Sequence, residues 1–134
     1  MVYFLDTNIC IHLLNRSSQG VIDNYTKIDV DDISIPSTVA AELIYGANKS
    51  IKRDYNLMRF RTFLSQFTIV YVDMDVIEVY GEIRAELERK GTPIGANDYF
   101  IAAIVKANGG ILVTNNTNEF SRVDGLIMED WMEK

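Results

Sequence analysis

Short apolar runs alternate with longer segments of mixed polarity along the chain. Residues 2–5, 33–35, 68–72 and 111–114 are apolar or β-branched, which is typical of buried strands, and residues 126–128 suggest a short fifth strand at a sheet edge. The segments between them carry apolar residues at helical spacing. This alternation predicts an α/β fold, a three-layer α/β/α sandwich with a mainly parallel central sheet.

Each predicted helix begins near a side chain that favours helix starts. The candidate N-caps, in chain order, are Asp6, Ser37, Asp73 or Asp75, and Asn97. A longer helix is predicted over residues 51–67. Gly91 and the pair Gly109-Gly110 are typical helix stops. We therefore expect helices to connect the first four strands.

The length and composition exclude several classes of protein. A chain of 134 residues is expected to form one domain, residues 1–134. Because Cys10 and His12 are the sole cysteine and histidine, a disulfide scaffold and a Cys/His zinc site are excluded. The net charge of −6 excludes a polybasic DNA-coating protein, although nucleic acid stays possible because charge distribution matters more than its sum.

The first residues lack the basic and apolar regions of a secretory signal. No apolar run approaches the length needed to span a membrane. We therefore expect no membrane association and a cytoplasmic location.

Acidic residues stand close to the ends of the predicted strands. Asp6 directly follows the first strand, and Glu42 lies one to two turns into the helix after the second. Asp98 falls in the first turn of a later helix, and Glu119 lies just past the fourth strand. Ligands of open parallel sheets bind outside the carboxyl ends of the strands, so all four side chains could face one crevice.

Taken singly, each of these acids is more typical of a helix cap, a favourable first-turn charge or a solvated surface residue. A cluster is different, because two unit charges about 4 Å apart repel by roughly 4 kcal/mol at an effective dielectric constant of 20. A divalent cation removes that repulsion. Oxygen ligands without imidazole or thiolate select Mg²⁺ or Mn²⁺, and a metal-bound water can attack a phosphodiester.

Four motifs occur in an order that is specific as a set, although each is weak alone. They are Leu5-Asp6-Thr7-Asn8; Ala41-Glu42-Leu43-Ile44-Tyr45-Gly46; Pro93-Ile94-Gly95-Ala96-Asn97-Asp98 followed by Ile101-Ala102-Ala103; and Leu112-Val113-Thr114-Asn115-Asn116 with Glu119-Phe120. The set resembles the PIN-domain family. More narrowly, it is similar to VapC, the toxin of VapBC toxin–antitoxin pairs, over nearly the whole chain.

The resemblance implies an activity and a set of partners. The expected activity is that of an endoribonuclease that depends on Mg²⁺, with Mn²⁺ as a substitute, and cleaves structured RNA, chiefly tRNA or rRNA, to inhibit translation. The expected partners are a VapB-type antitoxin and a second copy of the chain in a homodimer. Operator DNA is expected to bind only through the toxin–antitoxin complex.

The resemblance also implies roles for individual residues. Asp6, Glu42 and Asp98 are the expected metal-binding and catalytic acids. Many PIN domains carry a further acid at the position of Asn116, which has no charge here, so Glu119 is the candidate for the fourth carboxylate. The side chains expected to orient the acids or a water are Thr7, Asn8, Thr114 and Asn116.

A basic segment lies between the second and third predicted strands. Its candidate RNA contacts are Lys49, Lys52, Arg53, Arg59 and Arg61. Against the single acid Asp54, they leave a local charge of +4. Tyr45, Tyr55 and Phe60 are interleaved with them. The segment is either an RNA contact surface with stacking aromatics or a solvated helix face whose aromatics pack into the core.

Two other classes of function compete with the nuclease. A non-catalytic module would bind RNA or a partner through the same fold, but it has no reason to keep mutually repelling acids. A phosphotransfer domain would use Asp6 as phosphoacceptor or metal ligand. Against it, a receiver domain has a lysine just after a late strand, whereas Thr114 is followed here by Asn115 and Asn116. A haloacid-type phosphatase has a second aspartate where this chain has Asn8.

Overall fold

The computed structural model describes residues 1–132, so the last two residues of the predicted domain lie outside the described residues. The elements are β1 (Tyr3–Leu5), α1 (Thr7–Asn15), α2 (Gln19–Thr26), β2 (Ile33–Pro36), α3 (Ser37–Lys49), α4 (Arg53–Leu64), β3 (Thr68–Val70), α5 (Met74–Arg89), α6 (Ala96–Ala107), β4 (Ile111–Val113), α7 (Thr117–Phe120) and β5 (Ile127–Glu129). A single 3₁₀ turn, Val30–Asp32, precedes β2.

The strands form one sheet in the order β3-β2-β1-β4-β5, and every neighbouring pair is parallel. This confirms the predicted parallel sheet and its short edge strand. The chain adds β2 and β3 on one side of β1, and then β4 and β5 on the other. The order therefore reverses between β1 and β4. A crevice forms at the carboxyl ends of strands where such a reversal occurs.

The helices cover both faces of the sheet. Helix α1 contacts α2, α3 and α4, helix α3 contacts α4, and α5 contacts α6. Strand–helix–strand connections are right-handed. Helices α1 to α4, which connect β1 to β2 and β2 to β3, therefore cover one face, and helices α5 and α6, which connect β3 to β4, cover the other. Between them the sheet is buried on both sides, with Phe4, Leu5, Ile35 and Leu112 at most 1% exposed. The expected three-layer sandwich is confirmed.

Two of the predicted helix caps are confirmed. Asp6 precedes α1 and accepts a hydrogen bond from the Thr7 main-chain N–H at 2.7 Å. Asp73 precedes α5 and accepts from the Val76 N–H at 3.0 Å. Each carboxylate satisfies an N–H group that has no partner inside its helix. Asp75 is instead an acid within the first turn of α5.

The other two predicted caps are wrong. Ser37 is the first residue of α3, and the cap position belongs to Pro36, the last residue of β2. Because the strand runs directly into the helix, no separate polar residue precedes α3. Asn97 lies inside the first turn of α6 behind the cap residue Gly95, and its side chain is used elsewhere.

Element lengths also differ from expectation. The helix predicted over residues 51–67 is confined to Arg53–Leu64, and Ile51 lies fully exposed in the turn before it. Helices α2 and α7 were not predicted, although Ser18 caps α2 by accepting a hydrogen bond from the Val21 N–H. None of the helices within residues 1–132 is long and apolar enough to cross a membrane.

Candidate active site

Asp6 occupies the point where the strand order reverses. Its main-chain N–H donates to the carbonyl oxygen of Val113 at 3.0 Å, which joins the ends of β1 and β4. Its Oδ1 accepts from the Thr7 N–H and its Oδ2 accepts from the Thr114 hydroxyl, both at 2.7 Å. The residue is only 8% exposed. The Asp6 carboxylate is therefore held rigidly at the base of the crevice.

Glu42 reaches the crevice from α3 and is half-buried. Its Oε2 accepts a hydrogen bond from the Thr7 hydroxyl at 3.0 Å, and its Oε1 accepts from the Asn97 amide at 3.1 Å. Thr7 therefore connects two acids, since its N–H contacts Asp6 and its hydroxyl contacts Glu42. A side chain fixed at both oxygens loses the rotational freedom of a surface glutamate.

Glu119 enters from the short helix α7. Its Oε1 accepts from the Gly95 N–H at 2.7 Å and its Oε2 accepts from the Asn116 amide at 2.8 Å. These hydrogen bonds, that from Gly95 first, lower the pKa of Glu119. A Cβ at Gly95 would lie 3.2 Å from Asp98 Oδ2 and 3.7 Å from Glu119 Oε1. The glycine therefore leaves room for two neighbouring carboxyl groups.

Thr114 and Asn116 connect the two sides of the crevice. The Thr114 hydroxyl donates to Asp6 and accepts from the Asn116 main-chain N–H at 3.0 Å. The Asn116 side chain in turn holds Glu119. Asn116 thus contacts a carboxylate instead of supplying one. Asn8 is exposed, and its side chain makes no hydrogen bond with another residue of the described chain.

The acids interact strongly with one another. Burial, followed by the hydrogen bond and charge of Glu119 and the charges of Asp6 and Glu42, raises the pKa of Asp98 to about 7. The pKa of Asp98 is raised while that of Glu119 is lowered, because Glu119 already accepts two hydrogen bonds. Burial, with smaller effects of the Glu42 and Glu119 charges, raises the pKa of Asp6 despite its two hydrogen bonds.

The arrangement fits a hydrated hard cation. Within residues 1–132, no three Asp, Glu, His or Cys side chains converge into a ready-made metal cage. The acids instead form two pairs, Asp98 with Glu119, and Asp6 with Glu42 through Thr7. Mg²⁺ keeps several of its waters and binds through one or two carboxylates, so it does not require such a cage. The raised pKa values indicate negative charge that a divalent cation would neutralise.

Sequence reasoning missed the contributions of Asn97 and Gly95. Asn97 was interpreted as a helix cap, yet its amide contacts Glu42, which is 55 residues away in the chain. The Gly95 N–H contacts Glu119 across 24 residues. The signal in the sequence is that both residues belong to the third motif and closely precede Asp98.

The predicted basic segment divides into structural and exposed parts. Arg59 donates to the Leu14 carbonyl oxygen at 3.2 Å and to Asn15 Oδ1 at 3.0 Å, which attaches α4 to the end of α1. Arg53 contacts Asp54 at 3.0 Å. The side chains that remain exposed without such a role are Lys49, Lys52 and Arg61.

The aromatic residues of this segment differ in burial. Tyr45 is 64% exposed and Tyr55 is 54% exposed, so the interpretation that they pack into the core is wrong. Phe60 does pack against the core. Lys49 Nζ lies 5.7 Å from the centre of the Tyr45 ring, and the Arg59 guanidinium lies 5.5 Å from that of Tyr55.

Comparison with known proteins agrees with this geometry. The family model described as PIN domain matches residues 3–126. The chain is 42% identical to Ribonuclease VapC2 of Rickettsia felis over 132 residues, 98% of each chain. It is 40% identical to the tRNA(fMet)-specific endonuclease VapC of Shigella flexneri over 129 residues, 96% of this chain and 97% of the other.

A solved structure agrees closely in fold. It is the crystal structure of DNA-bound VapBC from Salmonella typhimurium, which matches with a TM-score of 0.91 at 37% identity and covers 98% of each chain.

Proposed function

The chain belongs to the VapC group of the PIN-domain family of ribonucleases, and from this premise we propose that it is a Mg²⁺-dependent endoribonuclease toxin that cleaves structured RNA, first of all tRNA, to inhibit translation. Residues 1–134 would act as a single nuclease domain. The observation that carries the proposal is the cluster of four mutually repelling acids at the carboxyl ends of β1 and β4. The tRNA(fMet) specificity of the Shigella flexneri relative supports tRNA as substrate.

The proposed mechanism assigns a part to each acid. Asp6 and Asp98 would hold the ion, and Glu119 would complete the set beside Asp98. Bound Mg²⁺ supplies stabilisation of the charge that develops on the phosphate. Glu42, whose oxygens accept hydrogen bonds from Thr7 and Asn97, would orient the attacking water and accept its proton.

The hydrogen bonds around the acids support this mechanism. The Thr7 N–H and the Thr114 hydroxyl keep both oxygens of Asp6 in place. Asn116 and the Gly95 N–H do the same for Glu119. The site is thus organised before substrate arrives, which lowers the cost of reorganisation during the reaction.

We propose partners on the same basis. The partners are a VapB-type antitoxin, a second copy of the chain in a homodimer, and operator DNA reached only through the antitoxin complex. The DNA-bound VapBC structure of Salmonella typhimurium supports the antitoxin and the DNA. The side chains available for RNA phosphates are Lys49, Lys52 and Arg61. To bind a phosphate, Arg53 would have to give up its contact with Asp54, and Arg59 its hydrogen bond to the Leu14 carbonyl oxygen. The proposed location is the cytoplasm.

Cleavage of unfractionated tRNA by protein freed of any partner tests the proposal. Discrete fragments are expected with Mg²⁺ and with Mn²⁺, and none with EDTA or with Asp98→Asn. Asp75→Asn, which removes a first-turn acid of α5 outside the cluster, is the matched control and should cleave like the parent. Fragments that persist in EDTA, or intact tRNA and rRNA in every lane, would overturn the proposal.

A further inference from the structure

A shallow groove adjoins the acid cluster on one side. It is lined by Thr38, Ala41, Glu42, Tyr45 and Asn97. Four of these residues belong to α3 and stand at positions i, i+3, i+4 and i+7 from Thr38, so they form one face of that helix. Glu42 belongs both to this groove and to the acid cluster. The groove is therefore continuous with the candidate active site.

Tyr45 presents an aromatic ring to solvent on this face. It is 64% exposed, although an aromatic ring gains most of its stabilising free energy from burial. Lys49, one turn further along α3, places its ammonium group 5.7 Å from the ring centre. An exposed ring beside a positive charge is the combination that holds unpaired nucleotides, since the ring stacks on a base and the cation attracts a phosphate.

Thr38 provides an independent observation in the same groove. Its Oγ1 is buried, and it is the one buried side-chain nitrogen or oxygen within residues 1–132 that has no hydrogen-bond partner. Buried polar groups nearly always have a partner, so this hydroxyl has unused hydrogen-bonding capacity, which a ligand in the groove reaches once the Thr38 side chain rotates. A hydroxyl both donates and accepts hydrogen bonds, which suits the edge of a base.

We propose that this groove seats an unpaired nucleobase of the RNA substrate next to the phosphate that is cleaved. The base stacks on Tyr45, its edge contacts Thr38, and Lys49 contacts a neighbouring phosphate. This inference rests on the proposed function. A nucleobase is the occupant because the groove joins an exposed ring and a cation to the phosphate-cleaving acids through Glu42. Single-stranded segments whose bases can be splayed out are the usual targets of RNA-binding proteins.

Steady-state kinetics of tRNA cleavage test the stacking part. Tyr45→Ala should raise KM about tenfold or more with kcat little changed, as expected for the loss of one stacked base. Tyr45→Phe keeps the ring and should behave like the parent. Tyr71→Ala removes a tyrosine that is 69% exposed and outside the groove, and should also behave like the parent. An unchanged KM in Tyr45→Ala would overturn the proposal.

Thr38→Val tests the contact with the edge of the base. Valine has the same shape without the hydroxyl, so KM should rise. The melting temperature should not fall, because a polar group without a partner is removed. A fall in melting temperature with unchanged KM would mean that the hydroxyl serves the fold, and would overturn this part of the proposal.

Direct binding separates failure of this inference from failure of the proposed function. With Ca²⁺ in place of Mg²⁺, the Kd for fluorescently labelled unfractionated tRNA should rise about tenfold or more in Tyr45→Ala and stay unchanged in Tyr71→Ala. If the parent bound tRNA but did not cleave it with Mg²⁺ or Mn²⁺, the proposed function would fail. The comparison of Kd values would still test the groove. An unchanged Kd, accompanied by loss of dimers on size exclusion or of antitoxin binding, would assign the groove to a protein and overturn the inference.

Discussion

Replacement of Asp98 by asparagine is expected to stabilise the protein in the absence of divalent cations, although it should abolish cleavage. The substitution removes one charge from the acid cluster. It keeps an N–H donor in the position from which the protonated Asp98 contacts Glu119. The variant therefore measures how much charge repulsion within the acid cluster destabilises the metal-free protein, because the shape of the side chain is kept.

The magnitude follows from the raised pKa. The fold raises the pKa of Asp98 from its ordinary value of 3.8 to about 7. The folded state thus binds the proton more tightly, so the stability of the metal-free protein falls as the pH rises from 3.8 to about 7 and stays reduced above that. The full shift corresponds to about 4 kcal/mol. Because Asp98 is only half-buried, solvent screening reduces the expected gain to about 1–2 kcal/mol.

Thermal unfolding in EDTA at pH 8 and at pH 4 is the assay. At pH 8 the Tm of Asp98→Asn should exceed that of the parent by about 3–8 °C. The difference should shrink at pH 4, where the parent also carries the proton. Addition of Mg²⁺ should raise the parent's Tm and leave the variant nearly unchanged.

Asp75→Asn is the control for this experiment. Asp75 is an exposed acid in the first turn of α5, where a negative charge stabilises the helix, so its removal should leave the Tm unchanged or slightly lower. An equal or lower Tm for Asp98→Asn in EDTA at pH 8 would refute the reasoning that the cluster destabilises the metal-free fold.

Three further outcomes are expected. Thr114→Val removes the hydroxyl that contacts Asp6 and should lower the free energy of unfolding in urea by about 1–3 kcal/mol; an unchanged midpoint would contradict this. Burial raises the pKa of the Cys10 thiol, so Ellman's reagent should label it only after unfolding, and rapid labelling of native protein would be the contrary result. Gly110→Ala would place a Cβ 2.5 Å from the Phe4 ring and should lower Tm, as differential scanning calorimetry would show; an unchanged Tm would mean that the ring moves aside.

The local pattern of the chain was sufficient to predict most of the fold. The apolar runs identified all five strands of residues 1–132 to within two residues, because buried parallel strands need nearly continuous apolar sequence. Asp6 was placed correctly at the end of β1, since a carboxylate directly after such a run both ends the strand and caps a helix. Helix α7, only four residues long, has too few positions to show a helical period.

Sequence by itself determined the acids, their oxygen-only chemistry and their expected place beyond the strand ends. Tertiary structure alone decided how they are held: the Asn97 amide contacts Glu42, and the Gly95 N–H contacts Glu119. The physical reason is range. Strand and helix signals act over a few neighbouring residues, whereas these two hydrogen bonds depend on distances of a few ångströms between residues that are 24 and 55 positions apart in the chain.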